Sequence, residues 1–459
     1  MTLPPGFAQR DPALTPRPLH FVNREGLDAW RTRQPPARVQ WMRAHGFDAA
    51  AGSQLTLPGG DDALAGAVLG IGDALDPFSY AHAPQSLPGG AWEASGELDA
   101  DARRALQLGW GLGAYRFTRY RDATRLPAQL VADALDPETS DVLAACLRVR
   151  DLVNTPTQDM GPQELEDLAR QVAQAHGATF ESIVGDALLE RNFPSIHAVG
   201  RASHRAPRLI RLDWGDDAHE HVVLVGKGVC FDTGGLDIKG ADGMRNMKKD
   251  MGGAAHALAL AGLVMARKLP LRLTLLIPAV ENAIGPDAFR PGEVVATRKG
   301  VSVEIDNTDA EGRVILADAL ALAGELEPAL LLDFATLTGA ARIALGPDLP
   351  ALYSNDDTVA DAWLAAAQHV RDPMWRMPLW RPYLRYLTSN IADIANGSST
   401  RMAGSITAAL YLERFVPATQ KWAHVDVYAW NDSDRPGRPA GGEAQGLRAA
   451  YEMLKRRCA

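Results

Sequence analysis

Strand and helix patterns alternate along the chain from residue 162 to residue 427. Apolar residues recur at three-to-four spacing in the helical segments, and short apolar runs between them are typical of buried strands. The predicted helices cover 162–176, 185–192, 253–267 and 314–326, and the predicted strands cover 178–184, 208–213, 221–225, 271–279, 330–334 and 422–427. This alternation predicts an α/β fold with a mostly parallel central sheet between helix layers.

The first 140 residues carry a less regular pattern. Residues 1 to about 35 contain many Pro and Arg residues with no period, which predicts a loosely ordered arm. An apolar run at 63–72 predicts a buried strand. Because 459 residues exceed what one hydrophobic core usually serves, we predict two domains. A smaller N-terminal α/β domain covers 1–140 and a larger C-terminal α/β domain covers 141–459, joined by a helix at 137–154.

Composition and charge exclude several classes of protein. The chain is 46% hydrophobic and 22% charged, the ordinary balance of a soluble globular protein. Its formal net charge of −9 repels phosphates, so we expect no nucleic-acid partner and no binding to an anionic membrane. No run of about 18 apolar residues predicts a membrane span. Three widely spaced cysteines and an N-terminus without a secretory signal favour a cytoplasmic protein.

Three loops hold an unusual density of charged residues, and each lies next to a predicted strand or helix: 225–239, 247–253 and 307–313. The carboxylates in these loops are Asp232, Asp250, Asp309 and Glu311. They could share one site only if multivalent cations offset their mutual repulsion. Such clusters are typical of two-metal hydrolases. Taken singly, Asp250 or Asp309 could equally be a helix N-cap or first-turn acid.

The same loops resemble the metal-binding segments of the leucyl aminopeptidase family. NTDAEGR at 307–313 resembles the hallmark heptapeptide of that family. VGKGVCFDTGGLDIK at 225–239 and MKKDMGGAA at 247–255 resemble its two upstream segments, in the same order. The resemblance covers roughly residues 140–430. It implies a cytosolic di-zinc aminopeptidase whose catalytic peptidase domain is the C-terminal one, and which removes single residues from peptide N-termini.

The resemblance implies a metal-binding role for five residues. Asp232 and Glu311 would bridge two divalent metal ions. Asp309 would complete one metal site, while Lys227 and Asp250 would complete the other. A lysine that ligates a metal must be neutral, and a neighbouring cation lowers its pKa in that direction. The resemblance implies zinc or manganese, with magnesium exchangeable at one position.

Two further basic residues take catalytic roles by resemblance. Lys239 would polarise the scissile carbonyl, and Arg313 would hold a bicarbonate ion that serves as general base. The family resemblance also implies peptide substrates and a homo-hexamer.

The substrate pocket is the part of the site where the sequence departs from the family. By resemblance, the pocket for the first side chain of the peptide is lined by Met247, Thr336, Leu337 and Gly339. These residues predict an apolar pocket with a preference for a Leu-like residue. The segment 422–432, which normally helps to wall the pocket, is bulkier here and carries Tyr428 and Trp430.

Two alternative functions remain open from the sequence. One is a narrow dipeptidase on the same fold, for example a cysteinylglycine dipeptidase. The other is a non-catalytic regulatory scaffold, which the complete set of candidate site residues opposes. A zincin mechanism is excluded because the chain contains no HExxH segment.

Overall fold

The computed structural model describes residues 3–59 and 64–458, and the chain divides into two compact units. The first unit consists of Met1–Leu147 and Asn431–Ala440. The second unit consists of Arg148–Trp430 and Gly441–Ala459. The return of 431–440 to the first unit is a long-range feature that no local pattern in the sequence indicates.

The first unit is an α/β structure built on one six-stranded sheet. Its strands follow the order β1-β6-β5-β2-β4-β3, and neighbouring strands are parallel except β3 and β4. The strands and helices up to residue 154 are β1 (Phe7–Gln9), β2 (Arg17–Val22), α1 (Leu27–Arg31), α2 (Pro36–Ala44), β3 (Gln54–Pro58), β4 (Leu64–Gly70), α3 (Ala83–Ser86), β5 (Ala91–Ser95), α4 (Ala100–Ala114), β6 (Gln129–Ala132) and α5 (Pro137–Asn154).

The prediction of a loosely ordered arm at the N-terminus is wrong. Strand β2 lies inside the sheet, between β5 and β4, so its backbone is paired on both sides. Its apolar residues Leu19 and Val22 are buried. The Pro-rich and Arg-rich composition gave no indication of this strand. Its pairing with strands that are distant in the sequence overrides a weak local preference. The apolar run predicted at 63–72 does form a buried strand, β4, although residue 63 lies outside the described residues.

The elements that follow α5 are a mixture of helices and strands, as predicted, although they do not alternate strictly. They are α6 (Pro162–His176), β7 (Thr179–Val184), α7 (Ala187–Glu190), α8 (Pro194–Gly200), β8 (Arg208–Trp214), β9 (Glu220–Gly226), β10 (Gly228–Asp232), α9 (Ala241–Met244), α10 (Gly252–Ala266), β11 (Leu271–Asn282), β12 (Val294–Val295), β13 (Val303–Glu304), α11 (Glu311–Glu325), β14 (Leu330–Ala335), α12 (Gly339–Leu345), β15 (Ala351–Ser354), α13 (Asp357–His369), β16 (Trp375–Arg376), β17 (Ile394–Ala395), α14 (Gly404–Glu413), β18 (Trp422–Asp426), β19 (Trp430–Asn431), β20 (Gly441–Gly442) and α15 (Leu447–Arg457). Short 3₁₀ helices cover Pro77–Ser79, Thr157–Asp159, Met247–Met251 and Arg381–Leu387.

The main sheet of the second unit has nine strands and a parallel centre. Its order is β16-β15-β18-β14-β9-β11-β8-β7, with β10 paired to β11. Strands β18, β14, β9 and β11 run parallel to one another, whereas β15, β8 and β7 pair antiparallel towards the edges. Helix α10 packs on β9 and β14, and α11 packs on β9 and β11. The predicted α/β architecture is therefore confirmed.

The parallel centre decides where functional side chains gather. Strands that run parallel end at the same edge of a sheet, and α/β proteins place their sites in the loops at that edge. Here β9 ends at Gly226, β14 at Ala335 and β18 at Asp426. Within the part of the chain that is described, no helix has both the length and the apolar character needed to cross a membrane.

Candidate metal centre

The charged residues predicted from the sequence converge on one cavity of about 590 Å³ in the second unit. Their side chains enter the cavity from positions where a strand ends or a helix begins. Lys227 follows β9, and Asp232 is the last residue of β10. Asp250 lies in the 3₁₀ helix that precedes α10, while Asp309 and Glu311 flank the start of α11.

Three carboxylates form the centre of the cluster. One oxygen each from Asp232, Asp309 and Glu311 lies within 4.8 Å of the others. Asp232 and Glu311 are buried, and Asp309 is half-buried. Asp250 is also buried and joins the cluster through Lys227. Three carboxylates at this separation, two of them buried, repel one another strongly, so the site needs compensating positive charge.

Two lysines supply positive charge in the structure. Lys227 Nζ lies 2.7 Å from Asp250 Oδ2 and 3.0 Å from Glu311 Oε1, and it donates a 2.9 Å hydrogen bond to Thr336 O. Lys239 Nζ lies 2.8 Å from Asp232 Oδ2 and also pairs with Asp309. Both lysines therefore lie among the carboxylates. The sequence predicts a catalytic role here for Lys239 and a metal-ligand role for Lys227.

The environment shifts the pKa of four residues in the cluster, Lys227, Lys239, Asp309 and Glu311. Burial raises the pKa of Glu311 and of Asp309, and the charge of Asp232 raises both further. Burial alone would lower the pKa of Lys227, but the carboxylates of Asp250 and Glu311 outweigh it and raise that pKa above its ordinary value. The same balance, with Asp232 as the main neighbour, raises the pKa of Lys239. Such mutual perturbation is typical of functional sites.

The donor set fits divalent cations. Asp250 Oδ2, Asp309 Oδ1 and Glu311 Oε1 are buried and accept no hydrogen bond of good geometry from any described residue. Buried carboxylate oxygens are normally hydrogen-bonded. These three oxygens lie close to the ammonium groups of Lys227 and Lys239 but outside good hydrogen-bond geometry, so they are suited to binding a cation. Carboxylate oxygens with one amine nitrogen suit zinc, manganese or magnesium, and do not select among them.

Two asparagines that the sequence interpretation missed brace the acids. Asn282 Nδ2 donates to Asp232 Oδ1 at 2.8 Å and to Thr308 O at 3.0 Å. Asn396 Oδ1 accepts from the backbone of the loop before Asp309, and its Nδ2 donates to Asn307 O at 2.7 Å. Asn282 could have been recognised in the sequence, because it is a polar residue at the end of the apolar strand β11. No local pattern indicates Asn396.

Arg313 lies beside the cluster with part of its guanidinium uncommitted. Its Nη1 donates to Asn396 O at 2.7 Å, and its side chain lies over the Tyr411 ring, 5.9 Å from the centroid. Its Nε is buried and has no acceptor among the residues that the structure describes. Burial lowers the pKa of Arg313, yet a guanidinium stays charged at neutral pH. An anion is the natural partner for such a group.

The predicted substrate pocket forms another wall of the same cavity. Met247, Thr336, Leu337 and Gly339 all line it. The Thr336 hydroxyl lies 2.8 Å from both O and Oδ1 of Asp250. The buried carboxylate of Asp426 accepts hydrogen bonds from Leu337 N and Thr338 N, at 3.0 and 3.1 Å. The loop after β14 is therefore held by Asp250 through Thr336 and by Asp426 through the backbone of Leu337 and Thr338.

Three residues outside the predicted pocket share this wall. Lys249, Arg342 and Tyr428 line the cavity with the predicted residues. Burial lowers the pKa of Lys249 to about 8, and the positive charges of Lys227 and Arg342 act in the same direction, against the opposing effect of Asp250. The sequence drew attention to Tyr428 as a departure from the family pattern but not to the two cations.

Models of known protein families match both the N-terminal and the C-terminal part of the chain. The model of the cytosol aminopeptidase family, catalytic domain, matches residues 148–451, and the model of the M17 aminopeptidase N-terminal domain matches residues 17–133.

The chain belongs to the cytosol aminopeptidase family.

Individual members of the cytosol aminopeptidase family are similar over most of their length. A probable cytosol aminopeptidase of Syntrophotalea carbinolica is 38% identical over 374 residues, which are 77% of this chain and 75% of the relative. The crystal structure of the cytosol aminopeptidase of Coxiella burnetii matches with a TM-score of 0.94 and 47% identity, over 99% of each chain. The bottromycin maturation enzyme BotP, in complex with manganese, matches with a TM-score of 0.86 and 33% identity, over 96% of this chain and 99% of BotP.

Family membership confirms the predicted class of enzyme. The chain is a metal-dependent aminopeptidase, a hydrolase that acts on peptides as an exopeptidase. The predicted fold, with an N-terminal α/β domain and a C-terminal catalytic domain, is also that of the family.

Proposed function

We propose that this aminopeptidase binds two divalent metal ions in the carboxylate cluster and hydrolyses the first peptide bond of its substrates there. The observation that carries the proposal is the convergence of Asp232, Asp309 and Glu311 oxygens within 4.8 Å. Asp232 and Glu311 would hold both ions in this proposal. Asp309 would add a ligand to one ion, while Lys227 and Asp250 would add ligands to the other.

The protein's own residues divide the remaining work. When bound, divalent ions lower the pKa of a ligand water and polarise a carbonyl group. Lys227 must lose a proton to become a ligand, and its Nζ already lies within 3.0 Å of Asp250 and Glu311 oxygens. Lys239 directs its ammonium group at the scissile carbonyl and stabilises the negative charge that develops on its oxygen.

Arg313 is the proposed holder of a bicarbonate ion. The buried Nε of Arg313, which lacks an acceptor among the described residues, supports an anion at this position. Bicarbonate bound there supplies a general base beside the cluster. The Nη1 bond to Asn396 O fixes the direction in which the guanidinium faces.

Several finer features of the enzyme remain predictions. They are zinc or manganese as native metal with magnesium accepted at one position, a homo-hexamer, a cytoplasmic location, and an apolar, Leu-like residue at the substrate N-terminus. The apolar preference rests on Met247, Thr336 and Gly339. The same cavity also carries Lys249 and Arg342, which an apolar side chain would leave without a partner.

A panel of amino-acid p-nitroanilides tests the proposal. The protein is stripped with a chelator, and zinc, manganese or magnesium is added back in separate samples. We expect cleavage to return with metal and two ions to bind per chain. Protein that binds no metal would contradict the carboxylate-cluster interpretation. Two bound ions with no cleavage of the panel would favour a strict dipeptidase or a scaffold, and a peptide-length series separates those two.

The variant Glu311→Ala tests the bridging role. We expect it to lose at least one metal ion and nearly all turnover, because it removes a ligand that both ions share. Glu325→Ala is the matched control, since Glu325 lies at the other end of the same helix and half of its side chain is exposed. Normal turnover with full metal content in Glu311→Ala would defeat the assignment.

A further inference from the structure

Two cations lie over one aromatic ring in the wall of the active-site cavity. Lys249 Nζ lies 5.1 Å from the centroid of the Tyr428 ring, and Arg342 Cζ lies 4.5 Å from it. All three residues line the cavity that holds the carboxylate cluster. Two like charges gathered around one ring repel each other, although Arg342 is exposed to solvent, and a bound anion would offset that repulsion.

The cations lie at the predicted side-chain pocket. A Cβ atom placed on Gly339 would lie 4.0 Å from Arg342 Nη2. Lys249 belongs to the 3₁₀ helix Met247–Met251, which also contributes Met247 to the pocket. The Arg342 guanidinium and the Lys249 ammonium group therefore lie next to the pocket in which the proposed function places the substrate's first side chain.

The charges of Lys249 and Arg342 are not committed to carboxylates of the protein. Lys249 is only 7% exposed, yet neither it nor Arg342 forms an ion pair with an acidic residue of the described chain. The two acids that act on Lys249 electrostatically have other partners. Asp250 pairs with Lys227 at 2.7 Å, and Asp426 accepts hydrogen bonds from Leu337 N and Thr338 N. A buried and unpaired ammonium group is costly, which argues against a purely structural role.

We propose that Lys249, Arg342 and Tyr428 form a recognition site for a carboxylate on the substrate's first side chain, so that the enzyme prefers peptides with an N-terminal Glu or Asp. A guanidinium offers a carboxylate two parallel hydrogen bonds, and the ammonium group adds a third donor. The Tyr428 ring holds both cations in place through cation–π contact. This inference rests on the proposed aminopeptidase function and changes its preferred substrate from an apolar to an acidic residue.

Glutamate and glutamine substrates test the preference, because they have the same size and differ in charge. On metal-restored enzyme, we expect kcat/KM for the L-glutamyl p-nitroanilide to exceed that for the L-glutaminyl p-nitroanilide by about tenfold or more, the effect of a charge-assisted hydrogen bond. Equal or faster cleavage of the glutaminyl or leucyl substrate would overturn the inference and leave the proposed function intact. Absence of cleavage of every substrate would instead contradict the proposed function.

A second carboxylate, the C-terminal one of a dipeptide, must be distinguished from the side-chain carboxylate. Hydrolysis of Ala-Gly is therefore compared with that of Ala-Gly amide. We expect the two rates to agree within a few-fold. A large preference for the free acid, together with no preference for glutamyl over glutaminyl substrates, would overturn the side-chain assignment.

Substitutions of Lys249 and Arg342 test whether these two residues cause the preference for a side-chain carboxylate. We expect Arg342→Met and Lys249→Met each to lower the glutamyl-to-glutaminyl ratio of kcat/KM by about tenfold, since each removes one donor to the carboxylate. Arg456→Met, on the exposed face of α15, removes the same charge and should leave the ratio unchanged. An unchanged ratio in both pocket variants would overturn the proposal.

Binding without turnover gives an independent measurement. Calorimetric titration of the metal-loaded protein with free L-glutamate and with L-glutamine compares the same two side chains. We expect glutamate to bind about tenfold more tightly, and Arg342→Met to abolish the difference. Equal affinities would overturn the proposal even if the substrate panel proved unreactive.

Discussion

Lys227 shows how closely the cluster is packed around one side chain. Its Nζ lies between Asp250 and Glu311, and the adjacent position in α11 is Gly312. A Cβ atom on Gly312 would overlap Cε and Nζ of Lys227. The glycine in the segment 307–313 is therefore required for space, because any side chain would push the lysine away from Glu311. The hallmark segment thus contains a steric requirement as well as its charged residues.

Arg313 gives a prediction at the scale of one residue. We expect Arg313→Ala to retain both metal ions but to hydrolyse substrates about 10²-fold more slowly, because it removes the proposed holder of the general base. Added bicarbonate should restore part of the rate. Metal content by mass spectrometry and kcat with and without bicarbonate are the measurements. Arg456→Ala serves as the control, and unchanged turnover in Arg313→Ala would rule out the proposed role.

The sequence indicated the residues of the cluster because they lie in three short segments with a recognisable order. Asn282 and Asn396 escaped notice because each acts on a loop distant in the sequence, Asn396 on the backbone near Asn307. Lys249 and Arg342 escaped notice for a similar reason. Their meaning depends on a shared contact with Tyr428, and single-sequence patterns carry no information on contacts between distant segments.

At the scale of elements, one buried acid ties α11 to its surroundings. Asp318 lies two turns after Glu311 in α11 and is fully buried. Its Oδ2 accepts from Ser195 N at 2.8 Å and from Ile196 N at 3.3 Å, at the start of α8, while its Oδ1 accepts from Arg298 N at 2.7 Å. The helix that presents Glu311 to the cluster is thereby held to α8.

Asp318→Asn should destabilise the protein in a pH-dependent way. An amide has one acceptor oxygen, so backbone donors lose a partner, at a cost of about 1–3 kcal/mol. Burial raises the pKa of Asp318 to about 6. A raised carboxyl pKa contributes stability that is present below the unfolded pKa and is lost as pH rises through about 6.

The cost of Asp318→Asn should therefore shrink with rising pH. We expect the difference in free energy of unfolding between wild type and variant to narrow by about 1 kcal/mol from pH 5 to pH 8. Urea denaturation of chelator-treated protein across this range measures the difference without interference from metal release. A gap that is constant or widens with pH would contradict the role assigned to this carboxyl.

Element prediction succeeded where one face or both faces of a segment are apolar. Helix α10 was predicted within one residue, because an apolar run with helical spacing has few alternatives. Strand β2 was missed because its pairing with β4 and β5, rather than its composition, makes it a strand. The return of 431–440 to the first unit has the same cause, since it depends on contacts that the local sequence does not contain.

At the scale of the whole molecule, the second unit carries exposed apolar side chains that are candidates for a contact between copies in the predicted homo-hexamer. Trp375 is 61% exposed, Trp380 is 55% exposed and Ile391 is 62% exposed. Trp375 lies on β16, which is the edge strand of the main sheet. Exposed aromatic residues near an open strand edge are typical of protein–protein contacts, because their burial removes a large apolar area from water.

The predicted homo-hexamer can be tested on this surface. Light scattering after size-exclusion chromatography should give a mass of about 296 kDa, six chains of 49.3 kDa. We expect Trp380→Glu to lower that mass, because it introduces a charge where an apolar ring would be buried between copies. Leu126→Glu, which adds the same charge at a position 79% exposed in the first unit, is the control. A monomeric wild type at micromolar concentration would refute the hexamer, whereas an intact assembly in Trp380→Glu would place the contact elsewhere on the molecule.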